Sequence, residues 1–280
     1  MSTTGKIIRE HRIQAGFTQK ALADALHVTD KAISKWERGI CLPDVTLLPK
    51  LSLLIDVDLD RLILKTIEQE EWVGLIDIHN CDFSQTVYDK PLVYYLLSHF
   101  LLLGLTKIHV FTDEENKKYL NSELFKVLGF SFSYDVPKNC RTMILNHPWF
   151  LFGSDLTQHF QGSMLAGKNI KLVPENQSAV FYFSYDASSY FKDKKNFCKT
   201  ASSRTLGRGM LCFDMGDSDK ALEVASFVRT YQKNSGLLIG SLEEIAYKKR
   251  LVSNQQLTEI AGKVPYREML LRLGCKPQVD

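Results

Sequence analysis

The residues with the clearest capacity for chemistry lie on one face of a short helix predicted near residues 29–38. Ile33 and Trp36 stand three residues apart and are predicted to point inward, and the remaining positions are polar or charged. A polar outer face above an apolar inner face is the layout of a helix that enters the major groove of DNA. The outward residues are Asp30, Lys31, Ser34, Lys35 and Arg38.

A preceding helix and a tight turn are needed to position this face. Thr18 can cap a first helix, Thr29 can cap the second, and Gly39 is a natural residue for ending it. Small inward side chains allow two helices to cross closely. The apolar face of the first helix is predicted to consist of Ala21, Leu22 and Ala25. Residues 18–39 are therefore predicted to form a helix-turn-helix.

Further helices are predicted on both sides of this stretch. One covers residues 6–15, another opens at Pro43 and is disturbed at Pro49, and a fifth covers residues 57–64. Together they predict an all-α module of five helices. We expect this module to be one domain, over residues 1–68.

Two motifs in this module resemble a known family. Gly-Phe-Thr-Gln-x-x-Leu-Ala occupies residues 16–23, and Val-Thr-x-x-Ala-Ile-Ser-Lys-Trp-Glu-Arg-Gly-x-x-x-Pro occupies residues 28–43. They are similar to the Cro-type (XRE) DNA-binding domain over nearly all of residues 4–64. The resemblance also implies an ion pair between Arg12 and Glu37.

The resemblance implies two kinds of contact with double-stranded DNA. Phosphate contacts are implied for Gln19 and Arg38, with Thr29 near the backbone. Base-edge contacts are implied for Asp30, Lys31 and Lys35. The chemistry agrees, because lysine can donate to guanine and aspartate can accept from cytosine.

The charge of this module is close to neutral. Residues 1–68 hold ten basic and nine acidic side chains, and the whole chain carries a net charge of +3. Counterion release from DNA would therefore be limited, and one copy is expected to bind weakly. We expect a homodimer that reads two linked half-sites.

Several classes of protein are disfavoured by composition. No signal peptide or membrane-spanning run is visible, so we expect a cytoplasmic protein with no membrane partner. The six cysteines form no C-x-x-C pair, which argues against a zinc or redox site. No cofactor is expected. The basic run at residues 192–195 is interpreted as a solvated turn.

The pattern changes after a short polar segment at residues 65–71. Apolar strands alternate with helices from residue 72 to about residue 213, and the remainder is predicted to be helical. This alternation predicts a three-layer α/β domain with a mostly parallel sheet and a helical C-terminal tail. We expect it to span residues 69–280.

Several segments of this second domain resemble the sugar nucleotidyltransferases, and glucose-1-phosphate thymidylyltransferases in particular. They are Val-Tyr-Asp-Lys-Pro-Leu-Val-Tyr-Tyr at residues 87–95, Gly-Arg-Gly-Met-Leu-Cys-Phe-Asp-Met-Gly at residues 207–216 and Leu-Glu-Glu-Ile-Ala-Tyr at residues 242–247. The resemblance runs from about residue 72 to residue 274. It implies a Rossmann-like nucleotidyltransferase fold and magnesium-dependent nucleotidyl transfer to a sugar phosphate.

The departures from that family fall where its chemistry takes place. A glycine-rich phosphate loop would follow the first strand, yet residues 77–86 contain no glycine. His147 stands where the family has its first metal-binding aspartate, and only Asp214 matches the second. One carboxylate is a poor magnesium site. We therefore expect no catalytic or metal residues, with Asp214 as a remnant of a metal site, and no enzymatic activity.

Three hypotheses follow from these patterns. The first is a transcription regulator whose second domain dimerises, senses a sugar-nucleotide or sugar-phosphate effector, or does both. The alternative is an active, divergent sugar-1-phosphate nucleotidyltransferase with an autoregulatory DNA-binding domain. In the third, the second domain is purely architectural. A metal cluster of Asp77, His79 and Asp82 is also conceivable but has no fixed geometry in one loop.

Overall fold

The computed structural model describes residues 3–57, 72–138, 140–153, 155–175 and 178–274. Two compact units divide these residues, one within 3–57 and the other within 72–274. The predicted fifth helix, beyond Val57, and the polar segment that follows it lie outside the described residues.

The first unit contains four helices among its described residues. They are α1 (Thr3–Gln14), α2 (Gln19–Leu26), α3 (Asp30–Glu37) and α4 (Leu48–Leu54). Both predicted N-caps are confirmed: the Thr18 hydroxyl accepts from the Ala21 N–H at 3.0 Å, and the Thr29 hydroxyl accepts from the Ala32 N–H at 3.2 Å. Gly39 follows α3 with φ of +73°, which glycine adopts without strain.

Two predictions for this unit were wrong in detail. The inward face of α2 consists of Leu22, Ala23 and Leu26, and Ala21 is exposed. The difference arises because the packing of neighbouring helices, not the spacing of small residues alone, decides which side of a short helix faces inward. Helix α4 begins at Leu48, not near Pro43, and Pro49 lies in its first turn, where its missing N–H costs little.

A single apolar cluster fixes the relative positions of these helices. Ile33 and Trp36 of α3 are buried, as predicted, and α2 packs across them. The fully buried members of this core are Ile8, Leu22, Ile33 and Leu51. The buried inner face of α3 therefore fixes the helix against its neighbours, and the opposite face points outward.

The second unit is built on a seven-stranded sheet in the order β10-β8-β9-β6-β1-β4-β5. Only β9 runs antiparallel to its neighbours, so the mostly parallel sheet that was predicted is confirmed. The strands are β1 (Trp72–Asp77), β4 (Lys107–Phe111), β5 (Ser131–Ser133), β6 (Arg141–Leu145), β8 (Ile170–Val173), β9 (Phe181–Ser184) and β10 (Ser202–Thr205). All six residues of β1 are buried, which is typical of a central parallel strand.

Two small antiparallel pairs complete the strands. They are β2 (Thr86–Val87) with β3 (Lys90–Pro91), and β7 (Trp149–Phe152) with β11 (Leu211–Asp214). The sequence did not predict β2, β3, β7, β8 or β10. None is longer than four residues, and such short strands are identified by their partners rather than by their own pattern.

Helices pack around the sheet and form the C-terminal tail. The first seven are α5 (Leu92–Leu102), α6 (Glu114–Leu120), α7 (Glu123–Val127), α8 (Leu156–Met164), α9 (Ala187–Lys192), α10 (Lys194–Thr200) and α11 (Ser218–Ser235). The tail consists of α12 (Leu242–Lys248), α13 (Asn254–Ala261) and α14 (Arg267–Gly274). Helices α6 and α7 are separated by Asn121 and Ser122. Among the described helices, none is long and apolar enough to cross a membrane.

Candidate functional site

The outward face of α3 carries exposed cationic side chains. Lys31 and Lys35 lie one helical turn apart, and neither ammonium group has an ion pair or hydrogen bond within the described chain. Asp30 accepts a hydrogen bond from the Lys31 backbone N–H at 2.8 Å and remains exposed. The two ammonium groups can therefore reach a base edge without first breaking a contact among the described residues.

Residues at the two ends of α3 have their polar atoms partly engaged. Thr29 is exposed and uses its hydroxyl as the N-cap of α3. The Arg38 Nε donates to the Ser34 carbonyl at 3.2 Å, and the rest of the guanidinium has no partner among the described residues and can meet an anion. Both positions suit contacts with a phosphate backbone.

Gln19 is less free than the sequence predicts. Its Nε2 donates to Oε2 of Glu37 at 2.7 Å, and Glu37 is buried. Arg12 completes the group, since its Nε donates to Glu37 Oε1 at 2.5 Å and its second amino group donates to Oε2 at 3.2 Å. The predicted ion pair between Arg12 and Glu37 is present, and Gln19 adds a hydrogen bond to the same carboxylate.

A second group of polar side chains lies at the carboxyl edge of the large sheet. Parallel pairing with β4 and β6 brings the end of β1 beside Phe111 and Leu145, so the loops that follow these strands meet there. The chain runs from β1 to β4 on one side, whereas β6 pairs on the other side. Open α/β sheets bind ligands at such a switch point, outside the carboxyl ends of their strands.

Asp77 is the most buried carboxylate at this edge. Its Oδ2 accepts from the Tyr190 hydroxyl at 2.6 Å and from the Lys194 Nζ at 2.7 Å, and its Oδ1 lies 3.5 Å from His79 Nε2. Burial, together with the hydrogen bond and charge of Asp77, raises the pKa of Tyr190 above its usual value, so the phenol stays protonated. The Lys194 side chain is half exposed and can meet an incoming anion.

In the loop after β1, backbone N–H groups donate hydrogen bonds to side chains of the protein itself. The Asn80 N–H donates to Asp113 Oδ2 at 2.9 Å, the Phe83 N–H donates to Asn116 Oδ1 at 3.0 Å, and the Ser84 N–H donates to Asp82 Oδ1 at 2.9 Å. A glycine-rich phosphate loop instead directs its N–H groups outward to the ligand. A phosphate at this edge would therefore be met mainly by side chains.

Asp214 is paired with the histidine that replaces the first aspartate of the resembled family. His147 Nε2 lies 2.6 Å from Asp214 Oδ1, and the same oxygen accepts from the Gly216 N–H at 2.9 Å.

Burial, with the carboxylates of Asp82, Asp113 and Asp214 nearby, raises the pKa of Cys81 to about 11, so its thiol is not a ready nucleophile. No cluster of three or more His, Cys, Asp or Glu side chains suited to a metal ion occurs within the described residues.

Lys194 and Tyr190 are functional candidates that sequence reasoning missed. The interpretation of residues 192–195 as a solvated turn was wrong for Lys194, which reaches a buried carboxylate. The available signal was Asp77 itself, a charged residue at the end of an otherwise apolar strand, because a buried carboxylate needs a partner.

The fold and the two groups of side chains together define a helix-turn-helix protein with an appended nucleotidyltransferase-like α/β domain. Residues 8–62 match the HTH_3 helix-turn-helix family and form a Cro/XRE-type domain. The C-terminal region is similar to the glucose-1-phosphate thymidylyltransferases of Neisseria meningitidis serogroup A and Mycolicibacterium smegmatis. Each is 25% identical to this chain, over 262 and 263 residues respectively. The alignments cover 67% of this chain and 90% and 89% of those proteins.

Among solved structures, the UDP-glucose pyrophosphorylase of Acinetobacter baumanii is similar at 9% identity, with a TM-score of 0.43. The match covers 63% of this chain and 99% of that one.

These comparisons correct one prediction. The missing glycine loop and the single matching aspartate led us to expect no enzyme, but the relatives that match over about nine tenths of their own length are enzymes. The departures concern two short segments, whereas the similarity extends over most of the domain. The absence of two local motifs is therefore not sufficient to exclude activity.

Proposed function

We propose that this protein is a sequence-specific, DNA-binding transcription regulator with two domains, residues 1–68 and 69–280. The observation that carries the proposal is the pair of exposed lysines on α3, Lys31 and Lys35, which have no partner in the part of the chain that the structure describes and lie within a helix-turn-helix domain. A DNA partner also makes the cytoplasm the expected location.

In the proposed complex, α3 lies in the major groove. Lys31 and Lys35 donate to guanine, and Asp30 accepts from cytosine. Arg38 and the start of α3 at Thr29 approach the phosphates. Gln19 donates one Nε2 hydrogen to Glu37 and offers the other to a phosphate. Each base-edge contact of this kind discriminates by about 1–3 kcal/mol.

Homodimerisation is the second part of the proposal. The near-neutral charge of residues 1–68 supports it, because a single copy would gain little from counterion release. Two copies on linked half-sites raise affinity without a new contact. The α/β domain is the proposed source of the dimer.

Binding of a nucleotide-sugar or sugar-phosphate effector at the carboxyl edge is the third part. Lys194 and His79 beside the buried Asp77 could meet a phosphate and a sugar hydroxyl. Similarity to glucose-1-phosphate thymidylyltransferases supports this class of ligand. Effector binding to the folded domain would raise its melting temperature, because the stability of the folded state grows with the logarithm of the ligand concentration relative to Kd.

Nucleotidyl transfer is the second candidate function, and the similarity to enzymes favours it. Pyrophosphate release from a nucleoside triphosphate and a sugar 1-phosphate would establish it, provided that Asp214→Ala abolishes the release. Nucleotidyl transfer and DNA binding are compatible, since a single chain can regulate the supply of its own product.

A binding experiment tests the DNA proposal. An operator selected from a random duplex library by the wild-type protein would be titrated with Lys31→Ala/Lys35→Ala. Loss of two base contacts predicts an affinity lower by at least about 30-fold. Lys6→Ala/Lys50→Ala removes the same charge from the same domain and serves as the matched control. Equal losses in the two double variants would show that only the net charge matters and would refute the assigned face.

A further inference from the structure

A cleft of about 760 Å³ lies in the second unit, and its lining includes none of Asp77, His79, Tyr190 and Lys194. The hairpin β2–β3, helix α7, the end of α11 and helices α13 and α14 line it. Its volume falls within the range of about 300–1,000 Å³ that is usual for small-molecule pockets. Its three aromatic side chains are Tyr88, Tyr94 and Tyr266.

The floor of this cleft is a buried polar network. The Lys90 Nζ donates to Asp89 Oδ1 at 2.8 Å and to Gln232 Oε1 at 3.1 Å, and Gln232 Nε2 donates to Asp89 Oδ2 at 2.8 Å. The Lys90 ammonium also lies 4.1 Å from the ring centroid of Tyr266. The Lys90 ammonium therefore neutralises the charge of Asp89. The tyrosine rings that line the cleft form an aromatic wall beside this network.

Tyr88 extends this wall from a strained backbone position. Its φ is +61°, a left-handed conformation that is uncommon for bulky residues, and its side chain is exposed at the edge of the cleft. Glycine or asparagine would form the same turn with less strain. Strained positions that persist in a fold are concentrated at ligand sites. We therefore interpret the strain at Tyr88 as the cost of placing its aromatic ring at the edge of the cleft.

The uncompensated charge around the opening is positive. Lys233 and Lys263 are exposed, and neither ammonium has a partner within the part of the chain that the structure describes. Of the two acids at the opening, Glu123 is paired with Lys126 at 3.3 Å. Glu259 accepts only from the neutral amide of Gln255, at 3.4 Å, and keeps its charge, but the two lysines outnumber it. An anion at the opening would therefore gain two partners and disturb no existing ion pair.

We propose that this cleft is a binding site for an amphipathic aromatic anion. Its planar ring system would lie against Tyr88 and Tyr266, and its sulfonate, carboxylate or phosphate group would lie between Lys233 and Lys263. This site shares no side chain with the carboxyl edge of the sheet, so it is independent of the effector site proposed above.

A pair of fluorescent probes tests the proposal on the full-length protein. The first is 8-anilinonaphthalene-1-sulfonate, an aromatic anion, and the second is N-phenyl-1-naphthylamine, which has the same rings without the sulfonate. Lys233→Gln/Lys263→Gln is expected to weaken binding of the anionic probe by about fivefold and to leave binding of the neutral probe unchanged. Tyr88→Gly, which relieves the backbone strain, is expected to weaken both probes.

The matched control is Lys199→Gln/Lys220→Gln, which removes two exposed charges from positions that do not line the cleft. Equal losses in the two double variants would overturn the proposal, as would unchanged anion affinity in Lys233→Gln/Lys263→Gln. Competition by 4-nitrophenyl phosphate and by 4-nitrobenzoate then distinguishes a phosphate ligand from a carboxylate. A dimer in sedimentation that dissociates in Tyr88→Gly and excludes both probes would also overturn it, because a second copy would then occupy the cleft.

Discussion

The ion pair between Arg12 and Glu37 makes the stability of the DNA-binding unit depend on one side chain. Glu37 has a side-chain exposure of only 3%, and Arg12 has 10%. Arg12 also donates to the Phe17 carbonyl at 2.7 Å, so it ties the end of α1 both to α3 and to the turn before α2. Substitution Arg12→Met keeps most of the apolar stem but leaves Glu37 buried with Gln19 as its remaining partner.

The expected cost is about 3–5 kcal/mol, the usual penalty for breaking a buried pair and leaving one charge. A domain of roughly 60 residues has a total stability of about 3–9 kcal/mol at 0.05–0.15 kcal/mol per residue. Arg12→Met should therefore remove about a third or more of this unit's stability, although no DNA-contacting residue has changed. The double variant Arg12→Met/Glu37→Leu removes both charges and should regain most of the loss.

Hydrogen exchange of the backbone amides in α1–α3 measures this effect without interference from the second unit. Protection should fall by about 3–5 kcal/mol in Arg12→Met and recover in the double variant, and operator affinity should follow the folded fraction. A loss below about 1 kcal/mol would refute the reasoning. So would a double variant as unstable as the single one, because the cost would then come from lost packing rather than from an unpaired charge.

Three further predictions concern the second unit. Burial lowers the pKa of His99 from 6.5 to about 4, so the unfolded chain binds the extra proton first and stability should fall by about 3 kcal/mol as pH drops from 6.5 to 4. Urea unfolding midpoints should show that His99→Gln removes this part of the pH dependence and that His109→Gln does not. A Cβ added at Gly74 would lie 2.5 Å from the Ile108 side chain and 2.8 Å from Phe100, so Gly74→Ala should cost about 1–3 kcal/mol in the same assay. Tyr190→Phe removes a hydrogen bond to a buried carboxylate and should cost about 1.5–3 kcal/mol, whereas Tyr185→Phe would mark the cost of losing a hydroxyl elsewhere in the unit.

Local patterns in the sequence were sufficient for much of the first unit. Thr18 and Thr29 precede apolar periodicity, and capping acts over three residues, so both caps could be predicted. The spacing of Ile33 and Trp36 identified the buried side of α3, and hence its exposed basic side. The face of α2 was predicted one residue away from its true position, because neighbouring helices choose between two nearly equal sides of a short, alanine-rich helix.

In the second unit, the alternation of strands and helices predicted a mostly parallel sheet, but not the order of its strands. Asp77 and Lys194 are 117 residues apart, and no local pattern connects them. Their contact exists because β1 is central in the sheet. The antiparallel strand β9 ends beside the start of β6, and α9 then returns the chain to the carboxyl end of β1, where Tyr190 and Lys194 reach Asp77. The interpretation of Lys194 as solvated therefore failed for a topological reason.

What the sequence determined by itself was the content of the chain: a helix-turn-helix with a basic outer face, an α/β region with a helical tail, and the replacement of a glycine loop and one aspartate. These properties depend on residues close together in the chain, where backbone geometry and hydrogen-bonding range fix the outcome. Only the tertiary structure decided which polar and charged side chains already have a partner. Gln19 is held by Glu37, Asp214 is held by His147, and Lys31, Lys35, Lys233 and Lys263 remain available within the described residues. The reason is that a charge is compensated by an opposite charge that the fold places within about 4–6 Å of it, at any distance along the sequence.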